Sequence, residues 1–179
     1  MWSRTALAVV VMSSISALLG CVSSPPDDPL PSDSATVVSI IDGDTVVIDL
    51  AGTDERVRLI GIDTPETVHP TRPVECYGAE STDRITELIP PGSVVRLERD
   101  VEWRDHYGRL LLYLFRSDDD LFVNEALVIE GYAATWHIDP NGAYRSALAA
   151  AEQQARAGGR GLWTECGGPG VPLDPLVSR

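Results

Sequence analysis

Lysine is absent from this 179-residue sequence, so its 14 basic side chains are all arginines. They stand against 27 acidic residues, which gives a net charge of -13 at pH 7. A broad basic surface that neutralises many phosphates is excluded, because each neutralised phosphate needs its own cation. Contacts with a polyanion must therefore be local, and they must use arginine, whose planar guanidinium suits bidentate contacts with phosphate.

Long hydrophobic runs are also scarce. The apolar run at residues 6–19 follows a single charge at Arg4 and is too short to span a membrane, so it predicts a lipoprotein signal peptide over residues 1–20. The run ends in Leu-Leu-Gly before Cys21, which resembles the bacterial lipobox, in which this cysteine is acylated. We expect an exported protein held at the cell-envelope membrane by lipid on Cys21. The alternative is an ordinary signal peptide with an incidental cysteine.

Cysteine is rare, with three residues in all. Once Cys21 carries lipid, Cys76 and Cys166 remain in an oxidising compartment and are predicted to pair, with two free thiols as the alternative. Residues 21–35 are rich in Ser, Pro and Asp and predict a flexible tether. The Gly- and Pro-rich residues 167–179 predict a disordered tail. Residues 36–166 then form one folded domain, which we expect to be a monomer.

Hydrophobic periodicity predicts an α+β domain. Asp42-Gly43-Asp44 separates two β-branched runs and predicts a tight hairpin. Five segments in all are predicted to be strands, at residues 36–41, 45–50, 56–62, 94–99 and 110–115. Three segments are predicted to be helices, at residues 79–88, 123–130 and 143–157. Five strands are enough to curl into a small barrel.

Acidic side chains gather where two of these strands end. Asp42 and Asp44 flank the first turn, and Asp63, Thr64 and Glu66 follow the third strand. Hard oxygen ligands from two separated segments suit Ca²⁺, and no cluster of His or Cys in the sequence points to a softer metal. Each signal alone has a simpler alternative, since Asp-Gly turns are common and Asp63 can merely cap the turn that follows it.

Two arginines accompany these acids. Arg58 lies five residues before Asp63, and Arg109 lies in a second glycine-containing turn at residues 105–109. An odd spacing of five places Arg58 and Asp63 on opposite faces of a regular strand. A shared site therefore requires a bend or bulge near Gly61, which glycine permits.

Three ordered motifs carry a resemblance to a known family: Ile41-Asp42-Gly43-Asp44-Thr45, Arg58-Leu59-Ile60-Gly61-Ile62-Asp63-Thr64-Pro65-Glu66 and Asp105-His106-Tyr107-Gly108-Arg109. Together they resemble the staphylococcal nuclease (thermonuclease) family. The resemblance implies a five-stranded OB-fold β-barrel with three α-helices. It also implies a calcium-dependent endonuclease that hydrolyses DNA and RNA to products with 3′-phosphates.

The resemblance assigns one Ca²⁺ to Asp44, Asp63 and the backbone carbonyl of Thr64, with Asp42 close behind these ligands. Carboxylate and carbonyl oxygens are the ligands that Ca²⁺ takes in proteins. Because the chain is so acidic, we expect substrate binding to depend strongly on divalent ions and to be weak without them.

The resemblance also assigns the catalytic groups. Glu66 is the general base or positions the attacking water, Arg58 and Arg109 bind the scissile phosphate, and Tyr107 contacts the adjacent phosphate. These roles are physically consistent, since positive groups stabilise the charge that grows on the phosphoryl oxygens during in-line attack.

Two positions depart from the family pattern. His106 stands where a lysine helps to hold phosphate, so this substrate contact is expected to be weaker or pH-dependent. The segment at residues 132–141 is one residue shorter than the pattern. Trp136 is our candidate for stacking on a base, and a half-buried position in the core is its alternative.

Two other functions remain as alternatives. The first is a catalytically inactive nuclease-like domain that only binds nucleic acid or protein. The set of Arg58, Glu66, Arg109 and the two metal-binding aspartates is complete, which argues against that loss. The second is a structural envelope lipoprotein with an acidic, cation-binding surface, which predicts no dependence of its function on Glu66.

Overall fold

The computed structural model describes residues 30, 32–67, 71 and 73–173. As predicted, five strands form a barrel: β1 (Ser34–Asp42), β2 (Thr45–Leu50), β3 (Thr53–Leu59), β5 (Val94–Arg104) and β6 (Leu110–Arg116). Two short strands were not predicted, β7 (Leu121–Phe122) and β8 (Ala134–Trp136), and the third predicted strand is divided, since its last two residues belong to β4 (Gly61–Asp63). Strands this short leave too few residues for an alternating pattern to be recognised.

The barrel closes through a pairing between distant strands. Its strands lie in the order β3-β2-β1-β5-β6, with antiparallel neighbours. β3 then pairs with β6 in parallel, with Val57 opposite Leu110 and Leu59 opposite Leu112. Closure satisfies backbone groups that two sheet edges would otherwise expose. The same pairing brings the end of β3 next to the start of β6.

The described residues contain the three predicted helices and one more. They are α1 (Gly78–Leu88), α2 (Val123–Ile129), α3 (Arg145–Ala157) and α4 (Leu162–Glu165). The predicted helices agree with the observed ones to within two residues at each end. α4 is a single turn, which is too short for helical periodicity to reveal it.

A large core cluster fills the barrel and the space under the helices, and a second, smaller cluster contains Ile60, Tyr113 and Phe115. Alternate residues of β2 point inward, as expected for a strand with one buried face. Fully buried side chains come from barrel strands and helices alike: Val46, Ile48, Leu59, Leu112, Ile85, Leu127 and Leu148. Burying each such side chain stabilises the fold by roughly 1.5–3 kcal/mol.

A disulfide joins Cys76 to Cys166, as predicted, with their Cα atoms 5.9 Å apart. Because this bridge holds the two segments together, residues after Cys166 run beside residues before Cys76. In the segment predicted as a disordered tail, the carbonyl of Val171 accepts a hydrogen bond from the N–H of Cys76, and the N–H of Leu173 donates to the carbonyl of Val74. At the other end β1 begins at Ser34, inside the predicted tether, and Ala35 is buried.

Several predictions concern residues that the structure does not describe. The lipoprotein signal peptide at residues 1–20, the acylated Cys21, most of the tether and residues 174–179 lie outside the described residues. No helix in the described part of the chain is long and apolar enough to cross a membrane. Attachment through lipid remains a prediction.

Candidate active site

The first hairpin turn carries Asp42 and Asp44. The backbone N–H of Asp44 donates a hydrogen bond to Oδ1 of Asp42 at 3.1 Å. Between them Gly43 is packed so closely that an added Cβ would lie 2.8 Å from Oγ1 of Thr64 and 2.9 Å from Cβ of Ser81. Close packing therefore requires glycine here, and the turn is pressed against the residues that follow β4.

The third predicted strand bends at Gly61, the residue at which β4 begins after the end of β3. The φ angle of Gly61 is +82°, a value that favours glycine. Beyond this bend Asp63 returns to the side of Arg58, and Nη2 of Arg58 donates a hydrogen bond to Oδ1 of Asp63 at 2.9 Å. The bend predicted from the odd spacing of these residues is confirmed.

Asn124 holds this bend in place, a role that was not predicted. Its fully buried side chain donates from Nδ2 to the carbonyl of Ile60 at 2.9 Å. Its Oδ1 accepts the backbone N–H of Leu114 at 3.0 Å. One sequence signal could have indicated this role, because Asn124 is a lone amide at the start of an apolar helix. A buried amide side chain must form hydrogen bonds.

Arg58 joins the acids of two separated segments. Its Nη2 lies 3.1 Å from Oδ2 of Asp44 and 2.9 Å from Oδ1 of Asp63, so both carboxylates converge on one point. The backbone N–H and the hydroxyl of Thr64 also donate to Oδ2 of Asp44, at 3.0 and 3.1 Å. The three residues predicted to bind metal thus meet at one place, where the guanidinium balances their negative charge.

Asp42 lies just behind this point. Burial raises the pKa of Asp42 to about 6, and repulsion from the carboxylate of Asp44 acts in the same direction. The hydrogen bond from the N–H of Asp44 works against both effects. The pair therefore tolerates two negative charges poorly, and a cation beside it would favour the ionised form of Asp42.

Glu66 follows at the end of the same segment. Its Oε1 accepts the backbone N–H of Thr67 at 3.0 Å. Its backbone is held by Glu75 in two directions. The N–H of Glu66 donates to Oε2 of Glu75 at 3.2 Å, and the N–H of Glu75 donates to the carbonyl of Glu66 at 2.8 Å. No local sequence pattern predicted this contact across nine residues.

Arg109 is oriented by Asp105 of the second turn. Nε of Arg109 donates to Oδ2 of Asp105 at 2.7 Å, and its backbone N–H donates to Oδ1 at 2.9 Å. Burial alone would raise the pKa of Asp105, but these hydrogen bonds and the positive charge of Arg109 outweigh it and lower the pKa. Asp105 was predicted only as part of the motif at residues 105–109, and its role in orienting Arg109 was not predicted.

Two exposed rings lie beside Arg109. The side chain of Tyr107 is 74% exposed, and Cζ of Arg109 lies 5.5 Å from its ring centroid. The ring of His106 lies 3.7 Å from the ring of Tyr107, measured between centroids. This turn therefore presents an aromatic surface next to a guanidinium group.

The parallel pairing of β3 with β6 relates the two arginines. Arg58 lies opposite Leu111, and Arg109 precedes Leu111 by two residues. Arg109 comes directly before β6, and extending the alternation of this strand by one residue places Arg109 on the face of Leu111 and Arg58. Leu110 and Leu112, which flank Leu111, are buried in the core, so the face that carries both arginines points away from it.

Trp136 ends β8, directly opposite Gly61 of β4. Its side chain is 54% exposed and lies outside the core clusters, which disfavours the core alternative. The neighbouring Ile138 is also exposed. Stacking of Trp136 on a base stays a prediction. The structure shows that its ring is accessible and that Trp136 lies opposite the bend at Gly61.

The donor atoms at this site are hard oxygens. Within the described residues, no three His, Cys, Asp or Glu side chains form a group able to hold a metal ion. Asp44 and Asp63 supply two carboxylates, so an ion here also needs oxygens from the backbone of Thr64 and from water. Ca²⁺ takes about six to eight such oxygens in flexible geometry, so the residues present fit this ion.

Several known proteins are similar in sequence to this chain. Residues 56–165 match the family described as Staphylococcal nuclease homologue. The chain is 42% identical over 131 residues to a thermonuclease of Staphylococcus intermedius, covering 73% of this chain and 76% of that protein. It is 38% identical over 128 residues to a thermonuclease of Staphylococcus hyicus, covering 72% and 74%. It is also 35% identical over 136 residues to the endonuclease YncB of Bacillus subtilis, covering 75% and 63%.

Proposed function

Since this chain belongs to the staphylococcal nuclease family, we propose that it is a calcium-dependent endonuclease that hydrolyses DNA and RNA to products with 3′-phosphates. The observation that carries the proposal is the convergence of Asp44 and Asp63 on one nitrogen of Arg58. Two carboxylates and a guanidinium at one point provide both a cation-binding group and a phosphate-binding group.

The chain's own residues perform the proposed reaction. Arg58 and Arg109 bind the scissile phosphate from the face that they share, and their charge stabilises the transition state. Glu66 takes a proton from the attacking water while the water oxygen forms a bond to phosphorus. The bond from phosphorus to the 5′-oxygen breaks, and that oxygen takes up a proton. A 3′-phosphate and a 5′-hydroxyl result.

Asp44, Asp63 and the carbonyl of Thr64 hold the ion in this proposal. Bound Ca²⁺ supplies positive charge that polarises the phosphate. The chain carries a net charge of -13, so its overall field repels a nucleic acid. Substrate binding should therefore be weak when divalent ions are removed, and tight binding to DNA without calcium would contradict the proposal.

The exposed aromatic rings give the site a surface for the substrate beyond the scissile phosphate. Tyr107 contacts the adjacent phosphate, and His106 adds a second contact from the same turn. Trp136 stacks on a base. The accessibility of all three side chains supports these roles.

We also propose that the enzyme works outside the cytoplasm as a monomer. Removal of residues 1–20 would leave an acylated Cys21 in the cell-envelope membrane, followed by a tether. The disulfide between Cys76 and Cys166 supports an oxidising compartment. Metabolic labelling with a radioactive fatty acid should mark the wild-type protein and not Cys21→Ser.

Degradation of single-stranded DNA tests the proposed activity. We expect hydrolysis with Ca²⁺ and none with a chelator. Glu66→Ser and Arg109→Gly should each lower kcat by about 100-fold or more, since each removes a group that acts in the transition state. Glu80→Ser, an exposed substitution on α1, is the control and should retain full activity.

Two outcomes would refute this mechanism. The first is activity that survives the chelator or is unchanged in both variants. The second is calcium-dependent DNA binding without hydrolysis, which would favour the binding-only alternative.

A further inference from the structure

The C-terminal residues 171–173 form a short antiparallel ladder with residues 74–76. The N–H of Cys76 donates to the carbonyl of Val171 at 2.8 Å, and the N–H of Leu173 donates to the carbonyl of Val74 at 2.9 Å. Pro172 lies opposite Glu75 between these two bonds. A proline fits this position, because the residue at a non-hydrogen-bonded pair donates nothing to the ladder.

The disulfide fixes this ladder to the core. Cys76 is bonded to Cys166, which follows α4 directly. Leu162 holds α4 in place. Its side chain is fully buried, and its backbone N–H donates a hydrogen bond to the carbonyl of Gly131 at 2.9 Å. The segment around Glu75 is therefore held on one side by a covalent bond and on the other by two backbone hydrogen bonds.

Glu75 connects this restrained segment to Glu66. The two residues exchange two hydrogen bonds, one through the Glu75 carboxylate and one through its backbone N–H. The start of α1 packs against the other side of the Glu66 backbone. A Cβ added to Gly78 would lie 3.1 Å from the carbonyl oxygen of Pro65 and 3.2 Å from that of Glu66. The backbone of Glu66 thus lies between Glu75 and the start of α1.

We propose that Glu75, the Cys76–Cys166 disulfide and residues 171–173 form a C-terminal brace that positions Glu66. The inference rests on the proposed function, in which Glu66 is the general base. Glu75 is a positioning residue here, since it contacts the backbone of Glu66 and not the reacting atoms. A displacement of about 1 Å in a catalytic group can lower a rate roughly 100-fold, so a restraint on this backbone bears directly on kcat.

Residues 171–173 contribute little to the stability of the barrel. Residues 171–173 are exposed, and Val171 and Leu173 lie outside the core clusters. Their removal should leave the core intact, and its effect should appear in the reaction instead of in folding. This property allows the brace to be tested in a folded protein.

A matched pair of truncations of the full chain provides the test. Ending the chain after Gly170 removes the ladder, whereas ending it after Leu173 removes residues 174–179 and keeps the ladder. We expect the first truncation to lower kcat with Ca²⁺ and single-stranded DNA by about 10-fold or more, with KM changed less than about twofold. The second should behave like the full chain. Both should retain the wild-type circular dichroism spectrum.

Two substitutions of Glu75 test the contact with Glu66 separately. Glu75→Ala removes the acceptor of the Glu66 N–H and should lower kcat as the first truncation does. Glu75→Gln keeps an oxygen acceptor at that position and should restore most of the activity. A role of Glu75 that depends on its negative charge would not give this rescue.

Amide hydrogen exchange of residues 64–67 provides a readout that does not require activity. We expect the Glu66 amide to exchange faster in the first truncation than in the second. Equal exchange, or equal kcat, in the two truncations would overturn the brace. If the full chain does not hydrolyse DNA, the proposed function fails, and with it the positioning role. Exchange would then show whether the ladder still restrains this segment.

Discussion

Replacing Asn124 with alanine should test how the bend between β3 and β4 is held. The substitution leaves two buried backbone groups without partners, the N–H of Leu114 and the carbonyl of Ile60. The residues that carry them are 0% and 8% exposed, so water has little access to either group. Both lie beside the segment that brings Arg58 and Asp63 together.

The magnitude follows from these two groups. Each unsatisfied buried group costs roughly 1–3 kcal/mol, so Asn124→Ala should lower the free energy of unfolding by about 4 kcal/mol. For a domain of this size about 4 °C of melting temperature corresponds to each kcal/mol, which gives a decrease of about 15 °C. The kcat for DNA should decrease as well, since the bend sets the position of Asp63.

Asn141→Ala is the matched control, measured in the same urea titration and thermal melt. Asn141 also makes two bonds with one side chain, to the N–H and the carbonyl of Glu102, both at 2.8 Å. Glu102 is exposed, so water can replace those bonds, and the loss should stay below about 1 kcal/mol. If Asn124→Ala costs no more than Asn141→Ala, the argument from buried unsatisfied groups is refuted.

Two further predictions concern stability. Replacing both Cys76 and Cys166 with serine should lower the free energy of unfolding by about 4.6 kcal/mol, the loop-closure value for a separation of 90 residues, and unchanged urea midpoints would contradict this. Burial alone would raise the pKa of Asp100, but hydrogen bonds from Ala143, Tyr113 and other donors outweigh it and lower the pKa. The ionised form therefore stabilises the fold above the unfolded pKa of about 3.9, and this stabilisation is lost as pH falls through the folded pKa. Asp100→Asn should therefore reduce the decrease in the free energy of unfolding as pH falls in the acid range. An unchanged dependence on pH would show that these bonds do not favour the charged form.

Part of the candidate site was predictable because its signals are local. The β-branched runs and turn residues predicted the five barrel strands, since these patterns depend only on near neighbours along the chain. The odd spacing between Arg58 and Asp63 required a bend, and Gly61 was the residue able to supply it. The family motifs then indicated which acids and arginines belong together.

Other parts of the site depend on contacts between distant segments. Asn124 was missed because its partners lie on a different strand and at the bend, and an amide in an apolar helix does not specify them. Glu75 was missed for the same reason, since its contact with Glu66 depends on where the disulfide and the tail hold it. The pairing of β4 with β8, which places Trp136 opposite Gly61, likewise joins segments too short to be recognised alone.

The sequence by itself determined the alternation of buried and exposed residues, the bend at Gly61 and the choice of cysteines able to pair, because each follows from local geometry or from composition. The tertiary structure alone decided that Asp44 and Asp63 share one guanidinium and that residues 171–173 lie against residues 74–76. Those contacts follow from closure of the barrel and from a disulfide spanning 90 residues. They arise only when segments far apart in sequence pack against one core, which no local pattern encodes.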